Sequence, residues 1–151
     1  MGDIPHMKIL IADDDPTSRF LLETLLTKSG HEVTSTTDGT EAMRVLQSPG
    51  SPMLAVLDWL MPGMDGPDIC RQMRASGSTV YIILITAQGK GHIREGLRAG
   101  ADDYLSKPLD EEELLARLEV GERVIRLQSA LATRVKELEE ALATIDQWQA
   151  G

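Results

Sequence analysis

Five polar positions in this chain each stand where an apolar stretch ends: Asp13 and Asp14 after MKILIA, Asp58 after MLAVL, Thr86 after VYIILI, and Lys107 after DDYLS. Stretches this apolar read as strands buried on both faces, as in a parallel sheet. In open parallel sheets, ligands sit at the carboxyl ends of the strands. The carboxylates, the hydroxyl and the amine are therefore expected to converge on one edge. Two like charges about 4 Å apart repel by about 4 kcal/mol at an effective dielectric of ~20. Clustered carboxylates must then share protons or hold a cation. A donor set of oxygens, without His or Cys, suits Mg²⁺ first and Mn²⁺ second. Lysine is a point charge for phosphate, and threonine a hydroxyl donor. Together they serve phosphoryl transfer onto a carboxylate. No Gly-rich phosphate loop is present, which disfavours a nucleotide as donor. Taken singly each residue has a blander reading: a solvated turn with an N-cap, a surface lysine, a threonine bonded to its own backbone.

The elements that would position these groups alternate strand and helix. Residues 8–12 form the first strand; Asp15 then suits an N-cap, with Pro16 in the first helical turn, where a missing N–H is harmless. The helix that follows is expected to bury Phe20, Leu21 and Leu25 and to stop at Gly30. A short, more polar strand at 33–36 suits a sheet edge, and Asp38-Gly39 turns into a helix carrying Ala42, Val45 and Leu46. Residues 48–52 read as a loop, 54–57 as the third strand, 61–66 as irregular, 67–75 as a helix and 80–85 as the fourth strand. A loop at 88–91, a short helix at about 92–99 and a last strand at 103–105 complete the pattern. This is an α/β fold: a doubly wound, five-stranded parallel sheet of order 2-1-3-4-5, flavodoxin-like, with a long C-terminal helix.

That helix opens on Asp110 and three glutamates, negative charge where the macrodipole favours it, and meets no proline before Trp148. Gly121 is its one weak point. Val120, Val124, Leu127, Leu131, Val135, Leu138, Leu142 and Ile145 step by 4, 3, 4, 4, 3, 4, 3. Such a seam, with one stutter at Leu131, predicts a coiled-coil homodimer in preference to a helix folded back on its own domain. Residues 119–151 are thus expected to form a linker toward a missing output domain. Residues 1–6 look like a leader left by recombinant expression.

The formal charge of −9 over 151 residues argues against direct binding of nucleic acid or anionic membrane. Cys70 is alone, so no internal disulfide is available and a cytoplasmic location is expected. No apolar run is long enough to span a membrane.

ILIADDDP, VLDWLMPGMDG, ILITA and DDYLSKP, in this order, resemble the motif set of response-regulator receiver domains in two-component signalling, over residues 7–118. The resemblance implies Asp58 as phosphoacceptor, with Asp13, Asp14 and the backbone carbonyl of Leu60 joining it around Mg²⁺ (or Mn²⁺). It implies that Thr86 and Lys107 contact the phosphoryl group, that Tyr104 changes rotamer together with Thr86, and that the Lys107-Pro108 bond is cis. A histidine kinase or phosphotransfer protein would be the donor, and the domain would have no turnover beyond its own phosphorylation and dephosphorylation. Leu60 stands where a polar residue is common, which leaves the carbonyl but unsettles the autodephosphorylation rate. Leu142 to Asp146 is similar to the junction before diguanylate cyclase domains in some regulators; a histidine kinase, another effector or none stays open as output. Two rival readings are a haloacid-dehalogenase-like phosphatase, which wants a second Asp where Leu60 stands, and a phosphorylation-independent dimerisation scaffold.

Overall fold

The computed structural model describes residues 7–87 and 92–150, so the leader and the loop expected at 88–91 lie outside the described residues. The elements run β1 (Lys8–Ala12), α1 (Pro16–Lys28), β2 (Glu32–Thr36), α2 (Gly39–Leu46), β3 (Leu54–Asp58), α3 (Gly66–Ala75), β4 (Tyr81–Thr86), α4 (Ile93–Ala99), β5 (Asp103–Ser106) and α5 (Glu111–Ala150). All strand pairs are parallel, in the order β2-β1-β3-β4-β5. The expected topology and the alternation behind it are thus observed. β3 and β4 are buried along their whole length, whereas β2 and β5 are the partly exposed edges.

Alternate residues of a strand face opposite sides of a sheet. Leu10, Ala12, Ala55, Leu57, Ile82 and Leu84 share one side with Ala42, Met43 and Leu46 of α2 and Ile69, Cys70 and Met73 of α3. Ile9, Ile11, Val56, Ile83 and Ile85 take the other, and α1 buries Leu22, Leu25 and Leu26 against β1 and β2. One expectation fails here. Phe20 is 69% exposed. At about 100° per residue it lies some 200° around the helix from Leu22, on the side away from the Leu22/Leu25/Leu26 arc.

Three helix starts carry a side-chain cap, the expected one at Asp15 among them. Asp15, Asp38 and Asp65 accept from the backbone N–H of Thr17, Glu41 and Asp68. Two glycines permit close approach where a side chain would collide. A Cβ on Gly39 would strike the Met64 carbonyl, and one on Gly66 would come within 2.7 Å of Leu84 Cδ2 and 2.8 Å of the Asp58 carbonyl. Both contacts hold down the loop that leaves Asp58.

The chain divides into two compact units between Arg117 and Leu118, and α5 runs through the division. In the second unit, Leu127, Leu131, Val135, Leu138, Leu142 and Ile145 are all exposed, and Trp148 is 84% exposed. Among the described residues, no helix is long and apolar enough to cross a membrane.

Candidate functional site

Three of the strands that carry singled-out residues, β1, β3 and β5, are held one hydrogen bond beyond their ends. Asp13 N–H donates to the Thr36 carbonyl at 3.2 Å, Trp59 N–H to that of Ile85 at 2.8 Å, and Lys107 N–H to that of Thr86 at 2.9 Å. The carboxyl edge of the sheet is therefore a rigid frame, and the side chains leaving it meet. Asp13, Asp14 and Asp58 each offer a carboxylate oxygen, all within 4.8 Å of one another. Lys107 Nζ lies 3.1 Å from Asp58 Oδ2 and 3.3 Å from Asp13 Oδ1. Thr86, at the end of β4, is buried. A cavity of ≈ 470 Å³ opens here, lined by Asp14, Asp58, Leu60, Thr86 and Lys107 among others. The Lys107-Pro108 bond is cis.

The residues fit a hard divalent cation. Asp13 is fully buried, and its Oδ1 already accepts from the Asp15 N–H (2.9 Å) and Lys107. Its Oδ2 is buried with no hydrogen-bond partner among the described residues. Such an orphaned acceptor costs roughly 1–3 kcal/mol or more, and a cation relieves it. Asp14 is exposed, so it can reach an ion that keeps part of its water.

The electrostatics follow from the crowding. Burial, then the hydrogen bond and charge of Asp13, push the Asp58 carboxyl up from 3.8 to about 6, against the pull of Lys107. For Lys107, burial alone would lower the ammonium, but its bond to Asp58 and the charges of Asp58 and Asp13 outweigh that and raise it. The ammonium is thus held charged between two carboxylates. Burial pushes the lone thiol, Cys70, up to about 12, and it is inert packing.

Tyr104 is half-buried on β5, in register with Leu84, and does not line the cavity. Three further residues border or brace the site. Trp59 and His92 line the cavity and lie against each other, with ring centroids 5.4 Å apart and planes tilted by 58°. His92 stands at the start of the helix that follows β4, with its side chain 44% exposed. A position on the loop side of that strand was the available signal. The Arg19 guanidinium donates to the Asp13 carbonyl at 2.9 Å, one turn into a helix, with nothing in its spacing to mark it.

The family profile for the response regulator receiver domain matches residues 9–119. The response regulator MprA of Mycobacterium avium is 44% identical over 113 residues, covering 74% of this chain and 49% of that protein. The chain spans about half the length of the curated relatives it matches. Among solved structures, the receiver domain of the Francisella response regulator 1452 is 30% identical at a TM-score of 0.73, covering 79% of this chain and 99% of that one. A probable two-component response regulator/GGDEF domain protein is 28% identical at a TM-score of 0.74, over 80% of this chain and 50% of that one. With its sheet order, its acidic edge and its profile in agreement, the chain belongs to the response-regulator receiver family.

Proposed function

We propose that this receiver domain accepts a phosphoryl group on Asp58 from the phosphohistidine of a histidine kinase or phosphotransfer protein. The observation that carries the reading is the Lys107 ammonium set between Asp58 and Asp13, beside a buried carboxylate oxygen with no partner. In the transfer, an Asp58 carboxylate oxygen attacks phosphorus. The P–N bond to histidine breaks, and the imidazole leaves with the electron pair. Lys107 balances charge on the phosphoryl oxygens, and the Thr86 hydroxyl donates to one of them. Asp13, Asp14, Asp58 and the Leu60 carbonyl would hold Mg²⁺ (or Mn²⁺), which supplies neutralisation of phosphoryl charge when bound. Tyr104 moves with Thr86, and the changed surface is read by a homodimer formed through the C-terminal helix and by an output domain. The GGDEF protein among the structural neighbours supports a cyclase-type output of the kind that the Leu142 to Asp146 junction suggests.

The domain works in the cytoplasm and, at a formal charge of −9, does not itself bind nucleic acid or membrane. The phosphatase alternative lacks its second carboxylate, because Leu60 stands at that position, 65% exposed. Incubation with a small phosphodonor and Mg²⁺ tests the assignment. Labelling is expected on the parent protein and absent from Asp58→Asn; undiminished labelling of the variant would end the reading.

A further inference from the structure

The second unit presents an apolar face that is exposed among the described residues. Leu127, Leu131, Val135, Leu138, Leu142 and Ile145 are between 45% and 65% exposed. They step by 4, 4, 3, 4, 3 along one uninterrupted helix, so they form one seam. A lone amphipathic helix with this much apolar surface in water is incomplete. We propose that the seam is covered by the same seam of a second copy of this chain, parallel and in register, with Arg134 of each copy paired to Glu139 of the other. The proposal deepens the homodimer named above and rests on it, adding orientation, register and the residues that select them.

Charge supports the parallel arrangement. Arg134 flanks the seam just before Val135, and Glu139 just after Leu138. In parallel coiled coils, a residue in the first of these positions faces the partner residue five places on. Arg134 therefore meets the opposite Glu139. By the same rule Arg123 faces Gln128 and Ala141 faces Asp146, which create no like-charged pair. Arg134 is free to engage: its contact within the chain is a 3.8 Å approach to Glu137, with both side chains solvent-exposed.

Spacing argues against the antiparallel alternative. The two steps of four that meet at Leu131, from Leu127 to Val135, are the locally unwound stretch of the seam. An antiparallel pair that sets these stretches opposite each other must centre on Leu131. Ile145 would then face Arg117, which is paired with Asp103 at 3.6 Å. Trp148 would face Leu114, which is fully buried. The parallel pair instead sets every seam residue against its own copy, and all six are exposed.

Cysteine cross-linking separates the two orientations in the full chain. In the parallel dimer, a Leu138→Cys variant meets its own copy and a short bismaleimide links it into a covalent dimer. In the antiparallel dimer, position 138 faces position 124, and the two copies of 138 lie about 21 Å apart. There Leu138→Cys alone stays unlinked, while mixed Val124→Cys and Leu138→Cys chains link. Buried Cys70 does not compete. Arg134→Glu is expected to weaken the dimer about tenfold, and Arg134→Glu combined with Glu139→Arg to restore it. A dimeric mass without the Leu138→Cys link, or no rescue by the double exchange, overturns the parallel pairing. A monomeric mass at tens of micromolar overturns the homodimer as well. Labelling of Asp58 in the same samples reports the phosphoacceptor reading separately.

Discussion

Asp58 is the residue at which fold stability and chemistry are in tension. Its carboxyl ionises near 6 in the fold against an ordinary 3.8, because burial and Asp13 both oppose the charge. A raised acid favours the fold while protonated. That contribution is full below about pH 4 and is lost as pH rises through about 6. Removing the charge should therefore stabilise the ion-free protein at neutral pH. Asp58→Asn is expected to gain about 1 kcal/mol over the parent at pH 7 in EDTA, after allowance for solvent screening in the open cavity. The gain should shrink toward zero by pH 4, and urea titrations at both pH values measure it. The same competition predicts that Mg²⁺ binding weakens as pH falls through 6, since protons and the cation seek the same oxygens. Trp59 fluorescence in a Trp148→Phe background follows the titration, and an affinity independent of pH from 7.5 to 5.5 would contradict it. At this scale the residues that converge on the acidic edge were legible because each follows an apolar run. Arg19 and His92 were not, since they act through tertiary placement that no local pattern encodes.

Among the elements, the helix-strand alternation made the topology readable, and the caps at Asp15 and Asp38 marked two helix starts. Phe20 misled because an apolar residue within an apolar helix was assigned to its buried face without fixing where that face lies. The Leu22, Leu25 and Leu26 arc is the tighter set, and it decides. The close approaches of Gly39 and Gly66 were equally hidden, since only the packed loop shows them. Gly66→Ala tests that loop directly. Its Cβ would press on Leu84 and on the Asp58 carbonyl. A loss of about 1–3 kcal/mol is expected in urea unfolding, with slower labelling of whatever protein stays folded. A neutral substitution would mean that the loop yields freely.

Taken as a whole, the molecule is a receiver unit followed by a helical unit with an uncovered seam. Divalent-ion binding at the acidic edge should be felt by the entire first unit, because Asp13, Asp58 and Lys107 lie on three segments of its sheet. At an Mg²⁺ concentration ten times its dissociation constant, the fold gains about 1.4 kcal/mol, or an unfolding midpoint raised by a few degrees. EDTA should reverse it, and Asp13→Asn should abolish the response; an unchanged midpoint would count against the cation site. The Lys107–Asp13 contact joins residues 94 positions apart, and Lys107–Asp58 joins residues 49 apart. Until β5 docks at its edge, neither ammonium contact exists. A chain emerging from the ribosome therefore completes this constellation only with its fifth strand, which would make the phosphorylation proposed at Asp58 a late reporter that the receiver has finished folding.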